Sequence, residues 1–319
     1  MTTEITLRNT INHKEVRMNF RNVNSEPYKS IAQNKGKYIA TGMPSLDYAL
    51  NDLAPGLVTV ISGRSNEGKT TFVRQVIANA INNDIKCCVI NGEGHEELWI
   101  NDLYRCVIGR MNGLFQRVRI NKRYFKEPTT DTLKELQDWH KDKLTILHSK
   151  GMTDTSKLFE SLSEELKKNK HELIVLDNLM SLLNASAVEK YTKQGEFVQN
   201  CHHLAVEHNI HIVLVVHPNK EYRTTDKPSF EMISGNSDIY NKADNIIWVS
   251  RNWEGEYGGK IKILKSRYFT EVPEVETVFD IETGLLCEVK DNTAVTYKFN
   301  LNTGNHVLID DSTELPFDI

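Results

Sequence analysis

The chain has 319 residues, room for one large domain or two ordinary ones. Hydrophobic residues make up 39%, and 17 Gly bring the apolar share to about 44%, close to the globular norm of roughly 45–50% and too high for a disordered chain. With 39 Lys and Arg against 43 Asp and Glu, the net charge of -4 excludes a globally basic nucleic-acid binder and leaves room only for a local basic groove.

At the N-terminus, Ile5 and Leu7, then Val16, Met18 and Phe20, alternate at period two around polar residues. That pattern predicts a small hairpin, followed by the linker-like SEPYKSIAQNKGK. The opening MTTEITLRNT has no apolar signal core. The longest apolar runs, such as Ile212–Val216, fall far short of the ~20 residues a membrane span needs. Five Cys without a C-x-x-C pair indicate neither a disulfide framework nor a zinc site; Cys87 and Cys88 read as core filler. A reduced, cytoplasmic protein with no membrane association is expected, in a bacterial host cell if phage-encoded.

From Tyr38 onward apolar strands alternate with amphipathic stretches. Strands are expected at Leu57–Ser62, Cys87–Ile90, Leu144–Leu147, Leu173–Leu176, Ile212–Val216, Ile246–Val249 and Ile261–Leu264. Helices are expected at Lys69–Ile81, Glu96–Arg110, Thr132–Lys141, Lys157–Lys168 and Glu189–Glu207. Leu158, Phe159, Leu162 and Leu166 keep to one helical face. Strands too apolar to be half-exposed, alternating with helices, argue an α/β fold with a mostly parallel sheet flanked by helices. Ligands bind such sheets at the carboxyl ends of strands, so the residues after each strand are the candidates.

After Leu57–Ser62 comes Gly63-Arg64-Ser65-Asn66-Glu67-Gly68-Lys69-Thr70, with Thr71 opening the helical run. This is G-x-x-x-x-G-K-[ST] between strand and helix, the phosphate loop of an NTP-binding core. Its amides and the helix N-terminus would receive phosphates. Lys69 would reach the β/γ-phosphates, and Thr70 would hold Mg²⁺. LIVLDN ends a second strand in Asp177, where a carboxylate would orient the metal or its water. Glu93 follows a third strand between two glycines and is placed to polarise an attacking water. His217 ends a fourth strand before Pro218, where it would sense a γ-phosphate. Lys265 and Arg267 alternate after a fifth strand. They are either solvated cations or, for Arg267, an arginine finger for a neighbouring subunit.

TGMPSLDYALNDLAPGLVTVISG leading into GRSNEGKTTFVRQ resembles the RecA-like domain of hexameric replicative helicases, superfamily 4: the DnaB type, mitochondrial Twinkle and phage helicase-primases. NGEG, LIVLDN, VVHPNK, SGNSDIYNKADNII and KILKSR follow in the family's order, over roughly residues 39–288. The resemblance implies a homohexameric ring that hydrolyses ATP, or another NTP or dNTP, with Mg²⁺ between subunits. It implies 5'-3' translocation on single-stranded DNA. Within it, Lys69 and Thr70 bind nucleotide and metal, Asp177 is the Walker B residue, and Glu93 is the catalytic glutamate. His217 replaces the Gln of many DnaB proteins, and Arg267 is the trans-acting finger with Lys265 beside it. The family's DNA loops map to residues 218–244, with Lys220, Arg223, Lys227 and Lys242 and the Ser234-Gly235-Asn236 turn; such contacts grip phosphates without reading sequence.

The sequence departs from the family in having Met232 and Ile233 where an Arg often stands, and YFTEVPE in place of a Gly-containing turn. The segment 1–38 is too short for a primase domain or a full N-terminal collar. The expected organisation is therefore an N-terminal hairpin and linker over 1–38, an ATPase domain over 39–288, and an extension over 289–319. That extension holds a further hairpin around Asn302-Thr303-Gly304-Asn305. It ends in acidic DDSTELPFDI, either a docking peptide for a replisome partner or a solubilising end. The leading function is a replicative helicase. The rivals are a RecA-like recombination or annealing ATPase and a non-motor regulator of a host helicase ring.

Overall fold

The structure, a computed structural model, describes residues 3–8, 15–20, 36–92, 95–109, 113–148, 155–178, 190–218, 227–233, 236–251, 258–267, 273–280, 283–290, 293–300 and 305–309. The chain divides into two units, Met1–Gly36 and Lys37–Ile319. In the first, β1 (Thr3–Arg8) and β2 (Glu15–Phe20) pair antiparallel, with Ile5 opposite Met18 and Leu7 opposite Val16. This is the hairpin that the period-two alternation predicted.

The second unit runs α1 (Pro44–Leu50), β3 (Val58–Ser62), α2 (Lys69–Asn82), β4 (Cys87–Asn91), α3 (Glu96–Ile108), β5 (Phe115–Ile120), β6 (Arg123–Pro128), α4 (Thr130–His140) and β7 (Leu144–His148). It continues with α5 (Thr155–Asn169), β8 (Leu173–Asp177), α6 (Lys190–His208), β9 (His211–Val216), α7 (Asn236–Lys242), β10 (Asn245–Arg251), β11 (Gly258–Ser266), β12 (Glu274–Asp280), β13 (Leu285–Lys290), β14 (Thr293–Asn300) and β15 (Asn305–Ile309). Among the described residues the large sheet has 11 strands, in the order β15-β14-β13-β12-β11-β10-β3-β9-β8-β4-β7. From β10 to β7 every neighbouring pair is parallel. From β10 out to β15 every pair is antiparallel.

Burial explains the parallel half. Every residue of β3, β4, β8 and β9 is buried, as expected for strands with both faces covered. Alternate side chains go to opposite faces. On β9, Val213 and Val215 join a cluster with α1, α2, α3 and α4, while Ile212, Leu214 and Val216 join a second cluster with α5 and α6. In α5, Leu158, Leu162 and Leu166 are buried at four-residue spacing, the single stripe that the sequence announced. Each such side chain contributes roughly 1.5–3 kcal/mol by leaving water.

The seven expected strands and five expected helices are all present, with shifts at their ends. The helix expected over Glu96–Arg110 stops at Ile108 because Gly109 takes a left-handed φ of 65°. Two short helices and one two-stranded hairpin escaped the sequence reading. The helix α1 spans only two turns, too short for periodicity, although Pro44 at its start is a helix-initiating signal. Met43 offers it no side-chain cap. Glu288 of β13 does so from across the fold, accepting from the Ser45 backbone N–H at 3.1 Å and from the Ser45 hydroxyl. The β5–β6 hairpin hid in a polar, basic stretch, and α7 is again too short.

His211, at the start of β9, is buried. Its Nδ1 lies 2.7 Å from the Ala54 carbonyl oxygen, which only accepts, so Nδ1 carries the proton. Nε2 then accepts from the Thr59 hydroxyl at 3.0 Å. Burial depresses its pKa from 6.5 to about 4. An unfolded chain takes up a proton below pH 6.5 that the native chain refuses. Stability is therefore full above that pH and falls toward pH 4, by at most about 3 kcal/mol. Urea unfolding of the full chain will show this loss, and His211→Asn will flatten the slope across the same window.

Candidate functional site

The six parallel strands present their carboxyl ends at one edge, and the phosphate loop is built there. Leaving β3, the chain passes under β10: a Cβ on Gly63 would stand 2.2 Å from the Val249 carbonyl oxygen. Only glycine permits this exit. The loop turns through left-handed Asn66 (φ 64°) and Gly68 (φ 95°) into α2. Lys69 arches back over it and donates from Nζ to the Gly63 and Arg64 carbonyl oxygens, each at 2.7 Å. Glu67 is buried within the loop. Its Oε2 accepts from the Arg64 backbone N–H at 2.6 Å, and its Oε1 lies 3.6 Å from the Arg64 guanidinium. Burial raises the Glu67 pKa above the usual carboxylate value. This carboxylate holds the turn closed.

Across the edge, β8 ends in buried Asp177, whose Oδ2 accepts from the Thr70 hydroxyl at 3.0 Å. One carboxylate and one hydroxyl, both hard oxygen donors, therefore converge beside the loop. Mg²⁺ takes just such a set, one or two carboxylates with the remaining positions left to water and phosphate. No group of three or more His, Cys, Asp or Glu suited to a metal occurs among the described residues.

Between β3 and β8 lies β9, and His217 follows it. Its Nε2 meets Asn178 Nδ2 at 2.8 Å, tying the ends of two neighbouring strands. The Gly92 N–H, just after β4, donates to the Asp177 carbonyl oxygen at 2.6 Å. Glu93 itself lies outside the described residues. A cleft of about 430 Å³ opens over this edge, a usual ligand-site size. Ser65 through Thr71, Asp177, Asn178 and His217 line one part of it, and Ser250, Arg251, Gly258 and Gly259 another. Asn178 and Arg251 were not singled out from the sequence; the position of Asn178 directly after Asp177 was the available signal.

Lys265 and Arg267 are not in this cleft. β11 runs antiparallel to β10, with Ser266 opposite Asn245, so its end reaches the amino edge of the parallel strands. Reading all strand ends as one edge fails at this reversal. Lys265 Nζ donates to the Ala243 carbonyl at 2.8 Å and to that of Tyr240, and lies 4.7 Å from the Tyr240 ring centroid. Burial, then the neighbouring Arg267 charge, lowers its pKa. Arg267 stands 3.0 Å from Asp244 Oδ1 and donates to the Asn241 carbonyl at 3.0 Å. Both cations thus close the C-terminal end of α7, where partial negative charge accumulates.

In the expected DNA loop, Lys220, Arg223, Ser234, Gly235 and the side chain of Asn236 lie outside the described residues. Lys227 is exposed. The base of the segment is closed by a bridge between Pro218 and Ile233. Met232 and Ile233, which stand where an Arg was expected, are both buried in the second core cluster.

The family model of the DnaB-like helicase C-terminal domain matches residues 38–284. No curated protein matches the chain. Among solved structures, one of an ATPase domain superposes with a TM-score of 0.67 at 19% identity, over 81% of this chain and 94% of that one. A DnaB-like replicative helicase, described with its interactions with primase, gives 0.64 at 18% identity, over 80% of this chain and 63% of that one. At such identities the superpositions establish a common fold. The family model establishes membership: the chain belongs to the DnaB-like helicase C-terminal domain family and carries a helicase-type core.

Gly63→Ala will weaken binding of a fluorescent ATP analogue by at least about tenfold, because a Cβ there forces the loop off β10. Gly68→Ala meets Leu286 Cδ1 at 3.6 Å and Val249 Cγ1 at 3.9 Å, both ordinary contacts, and strains the backbone by about 1–2 kcal/mol, so its effect will be smaller. Parallel titrations and melts of the two variants separate these outcomes.

Proposed function

We propose that the chain is an ATP-driven motor on single-stranded DNA, a replicative helicase whose fuel is hydrolysed between copies in a ring. The observation that carries this reading is the 3.0 Å meeting of Thr70 and Asp177 at one edge of the sheet, with Lys265 and Arg267 at the other. Lys69 and Arg251 line the cleft of the same copy, whereas Lys265 and Arg267 lie on the opposite edge, where a second copy's site would find them.

In the proposed cycle the Gly63–Gly68 amides and the start of α2 receive phosphate oxygens. Lys69 leaves the Gly63 and Arg64 carbonyls and turns to the terminal phosphates. Thr70 and Asp177 hold Mg²⁺, which when bound neutralises charge on the transferring phosphoryl group. Glu93, after β4, accepts the proton of the attacking water. His217 follows the loss of the γ-phosphate and passes it through Asn178 and the segment beginning at Pro218. Arg267 exchanges Asp244 for the γ-phosphate of the neighbouring site. The DNA contacts come from 218–244, and travel is 5'-3'.

ATP turnover with and without oligo-dT, and strand displacement on a forked duplex, test this. The wild-type chain will turn over faster with DNA and separate the fork. Asp177→Asn and Arg267→Ala will each lose at least about 100-fold in turnover. Arg267→Ala also strips a buried carboxylate of its partner, so loss alone proves little. Mixing the two variants will restore turnover, because the Asp177 of one copy then meets the Arg267 of another. No recovery on mixing sinks the shared site, and DNA-stimulated turnover without strand displacement identifies a recombination-type ATPase instead.

A further inference from the structure

The β5–β6 hairpin is strongly basic, with Glu127 near the end of β6 as its one acid. Between residues 113 and 126 stand Arg117, Arg119, Lys122, Arg123 and Lys126 with no acid among them, in a chain of net charge -4. All five are exposed. The ladder sets Arg117 directly opposite Lys126, and Arg119 opposite Tyr124. Like charges facing each other across a strand pair are destabilising. Other cations do find carboxylate partners: Lys260 with Glu274 at 2.8 Å, half-buried Arg74 with Asp102 at 2.6 Å and Lys37 with Glu172 at 3.2 Å. No carboxylate among the described residues pairs with Arg117, Arg119, Lys122, Arg123 or Lys126. Arg119 instead donates to the Asn121 carbonyl at 3.1 Å and stands 6.0 Å over the Tyr124 ring, which is itself 67% exposed.

The hairpin is firmly seated. Leu114 and Phe115 pack on the first core cluster. The Thr129 N–H closes the base on the Leu114 carbonyl at 2.9 Å, and Asn101 of α3 donates to the Lys126 carbonyl at 3.1 Å. None of its residues lines the nucleotide cleft, and it lies outside the 218–244 segment.

We propose that this hairpin is a second nucleic-acid-binding surface, gripping the phosphates of a single strand through Arg117, Arg119 and Lys126 and stacking a base on Tyr124. Same-face residues of a strand recur about every 7 Å, so the three cations form a track. An arginine over an exposed aromatic supplies a flat, cationic platform on which any base stacks. The grip is indifferent to sequence and weakens with salt, because binding releases counterions.

Fluorescence anisotropy of a labelled oligo-dT against the full chain, across a salt series, tests this. The triple variant R117E/R119E/K126E will bind at least about tenfold more weakly near 100 mM salt, and its log–log salt slope will shrink by about 2, from roughly 0.7 per lost phosphate contact. Tyr124→Ala will weaken binding with the slope unchanged, and Tyr124→Phe will restore it. ATP-analogue binding and the thermal midpoint will stay at wild-type values in every variant. Unchanged oligonucleotide affinity and slope in the folded triple variant overturn the proposal. So does unchanged oligonucleotide binding with lost affinity for a peptide of residues 310–319, which would make the hairpin a dock for acidic protein.

Discussion

The site depends on one constraint, that β3, β9, β8 and β4 run parallel and are buried on both faces. Parallel strands deliver every carboxyl end to the same edge, and full burial fixes their register, because a one-residue slip would drive polar groups into the core. Gly63, Asp177, His217 and Gly92 therefore arrive side by side although 154 residues separate the first from His217. The Thr70–Asp177 and Asn178–His217 hydrogen bonds follow from that delivery. Neither residue pair is close in sequence, and neither strand chooses its partner locally.

The opposite edge is organised by a buried carboxylate. Asp244 is 0% exposed and accepts from the Val58 backbone N–H at 2.9 Å. Its own N–H donates to the Val58 carbonyl at 3.0 Å, and its carbonyl accepts from the Arg267 N–H at 2.9 Å. One side chain thus ties the start of β3 to α7 and to the end of β11. A buried charge is costly unless paired, and Arg267 is the cation beside it. The proposed finger is then a group with a resting partner in its own chain. In the proposed ring a neighbouring phosphate would compete with Asp244 for it, and that competition would link the interface to α7.

Charge is distributed by task. The phosphate loop carries a net charge of +1, with buried Glu67 offsetting one of Arg64 and Lys69, and draws anions by amides and geometry as well as by charge. Lys265 and Arg267 serve helix carbonyls and a buried carboxylate. The five hairpin cations cluster on one exposed element with no carboxylate partner among the described residues, the charge pattern on which the proposed polyanion contact rests.

Read alone, the sequence determined what short-range physics controls. The glycine spacing of 63–68 specified the loop, since only glycine takes those turns. The largely apolar runs at 57–62, 173–176 and 212–216 specified buried strands, and the Leu158, Leu162, Leu166 stripe specified a covering helix. The tertiary structure decided what depends on direction and on pairing at a distance. That β11 turns back antiparallel, sending Arg267 away from the loop, is invisible in KILKSR, because a strand's residues read the same in either direction. That Glu288 caps α1, and that Arg117 faces Lys126, likewise depends on which segments meet, and the free energy of that choice resides in the whole sheet rather than in any local run of residues.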